Sequence, residues 1–162
     1  MSNIGDRIKS YEAREIDRTA LRGLPLVVRL DGRAFHSFTR GLARPFDPAL
    51  SGLMVDTARF LVEQTHARIG YTQSDEISLI LLSDGPKSEP LFGGRLFKLT
   101  SVLASMATAR FVMGAISLWP EKVTRSPPVF DARVFEVPTR EEAVNAIMWR
   151  EWDATKNAIS MA

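Results

Sequence analysis

Two acidic tips beside apolar runs are the residues of this chain best placed to do chemistry. Gly70-Tyr71-Thr72-Gln73-Ser74-Asp75-Glu76 sets adjacent carboxylates just before Ile77-Ser78-Leu79-Ile80-Leu81-Leu82, and Leu30-Asp31-Gly32-Arg33 carries a further acid. Brought side by side, the tips make a site for divalent metal. Crowded carboxylates repel unless a cation neutralises them, and a hard ion such as Mg²⁺ takes one or two carboxylates plus phosphates and water. Each tip also has a plain reading, since Asp-Gly after a strand is most often a turn and Ser-Asp is an ordinary turn former. Gly32-Arg33-Ala34-Phe35-His36 adds consecutive backbone N–H groups in a glycine-led turn, a candidate anion nest with two basic-capable side chains nearby.

Other chemistry-bearing residues lie further along. Arg95 and Lys98 fall in the first turns of an expected helix, where the macrodipole disfavours cations by about a few tenths of a kcal/mol, so they either hold an anion or simply snorkel. Arg150, Asp153 and Asn157, spaced i, i+3 and i+7, share a helix face with Lys156 adjacent, the plain alternative being a solvated salt-bridged face. Trp149 and Trp152 are expected to pack against a sheet rather than stack on bases. His36 as a general base is the weaker reading of that residue.

The chain has 162 residues, 45% hydrophobic and 25% charged, enough apolar material for one well-buried domain. Its formal charge of +2 decides nothing about a polyanionic partner, so that case rests on where Lys and Arg sit. There is no cysteine, which excludes disulfides, thiolate zinc sites and cysteine nucleophiles. No stretch approaches the roughly 18 uninterrupted apolar residues of a membrane span, and Asp6, Arg7, Lys9 and Glu12 stand where a signal would be apolar. A cytoplasmic protein without a membrane partner is expected.

The elements that must position these residues follow from periodicity. Ile4 to Ala20 reads as a peripheral helix with Ile8, Tyr11 and Ile16 on one side, ended by Gly23 and Pro25. Leu26 to Leu30 is a strand that puts Leu26, Val28 and Leu30 on one face and Val27, Arg29 and Asp31 on the other, with Asp31 at its end. Asp47-Pro48 opens an amphipathic helix through Leu50, Leu53, Met54, Ala58, Leu61 and Val62 to about His66. Ile69 to Tyr71 and Ile77 to Leu82 are the arms of a hairpin with its tip at Thr72 to Glu76, and Asp84-Gly85-Pro86 breaks the second arm. Phe92 to Met113 is a helix apolar around most of its circumference, hence mostly buried, except for a stripe of Arg95, Lys98, Ser101, Ser105 and Thr108. After a loop at Arg125 to Pro128, Val129 to Val137 is a strand, and Thr139-x-x-Glu142 is a capping box for a helix running towards Ile159.

This order predicts an α+β fold, a palm-like antiparallel sheet with helices packed on it, in one domain over residues 1–162. Polymerase palms and nucleotide cyclases share that outline. In them a strand end and a hairpin tip bring carboxylates to one metal pair.

Particular segments go further. Gly5-Asp6-Arg7-Ile8-Lys9-Ser10-Tyr11-Glu12, Val28-Arg29-Leu30-Asp31-Gly32-Arg33-Ala34-Phe35-His36-Ser37-Phe38-Thr39 and Arg44-Pro45-Phe46-Asp47 match a known pattern, as do Tyr71-Thr72-Gln73-Ser74-Asp75-Glu76-Ile77-Ser78, Arg95-Leu96-Phe97-Lys98 and Phe130-Asp131-Ala132-Arg133. From the N-terminus to about residue 160 the chain resembles the tRNA-His guanylyltransferase superfamily, the reverse (3′-to-5′) polymerases. The resemblance implies a catalytic domain in which Asp31, the carbonyl of Gly32 and Asp75 hold two Mg²⁺ ions, with Glu76 supporting the site. It implies that backbone amides of Gly32, Arg33, Ala34, Phe35 and His36, with Ser74, Arg44, Arg95, Lys98 and Asn157, cradle a nucleoside triphosphate whose base lies near Asp47. Arg44 stands where the family usually carries Lys, which keeps charge but not geometry.

Two departures stand out. Enzymes dedicated to tRNA-His carry His-Ile-Asn-Asn-Leu-Tyr-Asn on the last helix, whereas this chain reads Trp152-Asp153-Ala154-Thr155-Lys156-Asn157-Ala158-Ile159, which favours the broader like-protein branch that repairs RNA 5′ ends. Family members also continue past this helix, so the C-terminal segment that helps activate and position RNA is expected to be missing. The implied activity is Mg²⁺-dependent addition of nucleotides, from ATP, GTP or another triphosphate, to the 5′ end of tRNA or another RNA by a homodimer or homotetramer. A cyclase-like enzyme on the same fold would need no RNA, and a non-catalytic nucleotide- or RNA-binding module would bind without extending.

Overall fold

Side-chain alternation along Leu26–Arg33 divides the molecule. Leu26, Val28 and Leu30 enter the main core, while Val27 joins Ile80 and Ala143 in a smaller cluster on the opposite sheet face. The computed structural model describes residues 3–16, 18–83, 85 and 88–161, and side chains at all of these except 14, 15, 157, 158, 160 and 161. Its elements are α1 (Ile4–Ile16), β1 (Leu26–Arg33), α2 (Phe35–Phe38), α3 (Pro48–Thr65), β2 (Ile69–Gln73), β3 (Glu76–Leu81), a 3-10 turn (Leu91–Gly94), α4 (Leu96–Leu118), α5 (Pro120–Arg125), β4 (Val129–Glu136) and α6 (Arg140–Met161). The strands form one antiparallel sheet in the order β2-β3-β1-β4. The fold is α+β, with α3 and α4 on the main-core face and α6 on the other.

Local chemistry explains the helix ends. Asp47 Oδ1 accepts the N–H groups of Ala49 and Leu50, each at 3.0 Å, with Pro48 in the first turn of α3. Thr139 Oγ1 accepts the Glu142 N–H at 3.2 Å ahead of α6. Elsewhere the ends shift. α1 stops at Ile16, and Thr19 pairs instead with Arg95. Phe92, Gly93 and Gly94 take φ of 54°, 64° and 73°, so α4 cannot begin at Phe92. Asp84 and Pro86, the expected strand breakers, lie outside the described residues.

Two burial expectations are corrected. α4 buries one stripe, Leu96, Leu99, Leu103, Ala107, Phe111 and Ala115, and leaves Phe97, Met113 and Ile116 at 61%, 67% and 52% exposure. It shares the sheet face with α3, so each helix reaches the core along one side only. By length and composition α4 would also qualify to cross a membrane, yet that stripe is packed on the sheet. Trp149 and Trp152 are not buried against the sheet but remain 53% and 56% exposed, with Trp149 meeting it at the Arg29 guanidinium, because Ala143, Ala146 and Ile147 make the apolar α6 contact instead.

The two ends of the sheet are distinct. Leu96 N–H donates to the Arg18 carbonyl at 3.0 Å, near where the chain enters β1, while Thr108 Oγ1 accepts the Phe130 N–H at 2.9 Å, level with Gly32. α4 therefore spans the sheet from the Leu26 end to the Asp31 end.

Candidate active site

An aromatic cluster underlies the Asp31 end. Phe35, Phe38, Phe111 and Phe130 pack with ring centroids 5.1 to 5.9 Å apart. Gly32 lies directly over this layer, where a Cβ would sit 2.4 Å from the Phe35 ring, so glycine alone lets the strand end approach it. Ala34, at φ 56°, then turns the chain into α2. Phe35 and His36 open that short helix with N–H groups that have no backbone acceptor among the described residues.

β1 continues two residues past Asp31, because Gly32 and Arg33 pair with Phe130 and Val129. The hairpin strands likewise run closer together than expected, leaving Ser74-Asp75 as a two-residue tip with Ser74 at φ 49°. Gly32 N–H donates to the Asp75 carbonyl at 3.0 Å, which ties the tip to the strand end. Asp75 does not return the bond, and in an antiparallel ladder the Gly32 carbonyl points to the same side as its N–H. That carbonyl is thus available beside the two acids.

Asp31 opposes Glu76 on β3 and Asp131 on β4. Ser74 Oγ donates to Asp75 Oδ1 at 3.0 Å. Burial raises the Asp31 carboxyl above its usual range, neighbouring Asp75, Asp131 and Glu76 raise it further, and Arg133 opposes them. Among the described residues no three His, Asp or Glu side chains form a ready-made metal cluster. Two carboxylates and one carbonyl are nonetheless the donor set a hard cation completes with water and phosphate oxygens, and the charge crowding on Asp31 fits such an ion.

The acids have different partners. Glu76 is buried, and Arg150 Nε donates to its two oxygens at 2.8 and 3.0 Å. Arg150 also pairs with Asp153 at 3.1 Å, and its carbonyl accepts Gln73 Nε2 at 3.2 Å, so α6 clasps the hairpin behind its tip. Trp149 lies against the guanidinium groups of Arg29 and Arg150, 5.6 and 4.6 Å from its ring centroid.

Of the other residues the sequence points to, Arg33 and His36 are exposed beside the acids. Asp47 caps α3 at the same end of the sheet; the Leu50, Ala43 and Ala49 N–H groups hold its carboxyl below the usual range against a smaller desolvation effect. Arg44 is exposed on the segment leading there. Arg95 and Lys98 are not brought to the cluster. At about 1.5 Å per residue, α4 sets Arg95 about 20 Å along its axis from Thr108, and Lys98 Nζ lies over the Phe92 ring at 5.1 Å. The Asn157 side chain lies outside those described. Asp131, Arg133 and Arg150 enter the site with no role assigned from sequence. Alternation alone puts Asp131 and Arg133 on one strand face, but only the pairing register sets them beside Asp31.

The comparisons with known proteins agree with this architecture. The chain is 33% identical over 153 residues to a probable tRNA(His) guanylyltransferase of Dictyostelium discoideum, covering 93% of this chain and 57% of that protein. It is 32% identical over 177 residues to an uncharacterised protein of Acanthamoeba polyphaga mimivirus, covering 96% and 60%. The chain thus spans under two thirds of the length of both relatives. A solved bacterial tRNA(His) guanylyltransferase-like protein in complex with GTP superposes with a TM-score of 0.91 at 38% identity, over 98% of this chain and 74% of that one. The Saccharomyces cerevisiae enzyme gives 0.74 at 30%, over 87% and 63%. The family model described as tRNAHis guanylyltransferase matches residues 5–138, and the chain belongs to that family.

Proposed function

We propose that this chain is a Mg²⁺-dependent nucleotidyltransferase that adds nucleotides in the 3′-to-5′ direction to the 5′ end of tRNA or another RNA, in 5′-end repair or tRNA-His guanylylation. Family membership and the bacterial like-proteins solved with GTP and ATP support a nucleoside triphosphate substrate. The observation that carries the reading is the Gly32–Asp75 bond, which fixes the Asp75 tip beside the Asp31 strand end.

Asp31, Asp75 and the Gly32 carbonyl would hold two ions, which would lower the pKa of an attacking 3′-hydroxyl and neutralise charge on the RNA 5′ phosphate under attack, from which pyrophosphate or AMP leaves. The protein's own task is positioning. The N–H groups of Phe35 and His36, the Ser74 hydroxyl and the Arg33 and Arg44 side chains are the donors offered to the polyphosphate, with Asp47 reserved for the base. Glu76, engaged by Arg150, supports the site by holding the tip rather than by touching substrate. A homo-oligomer belongs to the same reading, supported by the apolar residues α4 leaves exposed; sedimentation showing only monomer would remove that part.

The test is incubation with 5′-truncated tRNA, ATP, labelled nucleotides and Mg²⁺. RNA lengthened at its 5′ end is the expected product, and Asp31→Ala or Asp75→Ala should abolish it while circular dichroism stays native. Cyclic nucleotide formed without RNA, or nucleotide bound with no extension, would overturn the reading in favour of a cyclase or a binding module.

A further inference from the structure

Arg133 stands between two carboxylates without closing on either. Its Nη1 is 3.7 Å from Asp31 Oδ2 and its Nη2 is 3.7 Å from Asp131 Oδ1. A charge-assisted N–H···O bond spans about 2.7–2.9 Å, so the guanidinium balances both charges from beyond hydrogen-bond contact. All three side chains are half-exposed, at 51%, 41% and 54% for Arg133, Asp31 and Asp131. The cross-strand neighbour of Arg133 is Arg29, a second guanidinium whose Nε is buried without a hydrogen-bond partner. Repulsion from Arg29 biases Arg133 towards the acids, and nothing but those two loose contacts ties it there among the described ion pairs.

We propose that Arg133 is an exchangeable counter-cation: it neutralises Asp31 and Asp131 while the site holds no metal, then yields Asp31 to a divalent ion and turns its guanidinium to a phosphate of the substrate. The inference rests on the metal reading of Asp31 and Asp75. A cation this close to Asp31 competes with an incoming divalent ion, and once the ion is bound the two repel. Substrate phosphates arrive with the charge and the paired oxygens that the planar guanidinium fork binds best. The solvated setting of Arg133 leaves it free to make the exchange.

The first arm is calorimetric titration of the full chain with Mn²⁺ alone, without nucleotide or RNA. Arg133→Gln is expected to tighten the metal Kd by about twofold to fivefold, the scale of one partly solvated charge pair. Asp131→Asn should weaken it, and Asp31→Asn should abolish binding. Unchanged affinity in Arg133→Gln, with binding lost in Asp31→Asn, would overturn the exchange and leave the metal reading standing. Metal binding that survives Asp31→Asn would overturn both.

The second arm holds Mn²⁺ saturating and uses inorganic tripolyphosphate and a 5′-phosphorylated oligonucleotide as probes. Arg133→Gln should lose affinity for one of them, with Arg133→Lys recovering part of it and circular dichroism melts unchanged. Loss confined to tripolyphosphate assigns the phosphate to the nucleotide, and loss confined to the oligonucleotide assigns it to the RNA end. Full affinity for both probes would overturn the proposal.

Discussion

Two arginine–carboxylate pairs lie on the same sheet face and behave as opposites. Arg150 and Glu76 are closed, 2.8 Å apart, with side chains only 15% and 9% exposed. Arg133 and Asp31 are open, 3.7 Å apart and half in solvent. The difference is cover. α6 pairs Arg150 with Glu76 and adds a second bond through Gln73, whereas among the described ion pairs no α6 side chain reaches Asp31. Enclosure converts one acid into a structural strut, and its absence leaves the neighbouring acid free to exchange its counter-ion. Burial thus divides labour among four clustered carboxylates of the same chemistry.

The sharpest way to break this contrast is Arg150→Leu, which strands the buried Glu76 charge. It should cost about 3–5 kcal/mol in urea denaturation; a loss under about 1 kcal/mol, the surface-pair scale, would show that the strut is not enclosed. Gly32→Ala comes next, because its Cβ must displace a buried ring held by three others. Overpacking of this kind costs about 1–3 kcal/mol, and a thermal melt indistinguishable from wild type would contradict the close approach. Trp149→Ala removes a ring shared by Arg29 and Arg150, for about 0.5–1 kcal/mol by chemical denaturation at so exposed a site. No change there would mean the ring serves neither guanidinium.

The smallest effect has the opposite sign. Asp31 has its carboxyl raised above 3.8, mainly by burial and then by Asp75, so the folded chain binds that proton more tightly than the unfolded one. Well below pH 3.8 both states are protonated and there is no penalty. As pH rises through 3.8 to the raised value, wild type loses stability, and the penalty then stays constant. Metal-free Asp31→Asn should therefore melt higher than wild type at neutral pH, by less than about 1 kcal/mol given its exposure, with no gain in acid. A gain that persists well below pH 3.8 would assign the effect to something other than charge.

Much of this was legible in one dimension. Strand alternation placed Asp31 on the face opposite the main core, Asp47-Pro48 and Thr139-x-x-Glu142 marked two helix starts, and the Ser74-Asp75 tip was visible as a turn, although Asp31-Gly32 proved to continue the strand. These signals are local, and local sterics and capping decide them. What escaped was set by contacts distant in sequence. No residue preference announces a left-handed Phe92, and apolar composition cannot say which side of α4 meets the sheet. Nothing in the spacing of Arg95 and Lys98 shows that the length of α4 separates them from Asp31, and Asp131 and Arg133 acquire meaning only through the β1–β4 register.

The most direct test is an anomalous-scattering map from crystals grown with Mn²⁺ and GTP. The account predicts metal peaks within about 2–2.3 Å of carboxylate oxygens of both Asp31 and Asp75, with Glu76 still held by Arg150. Nucleotide bound with metal elsewhere, or metal held by Glu76 after it leaves Arg150, would contradict it.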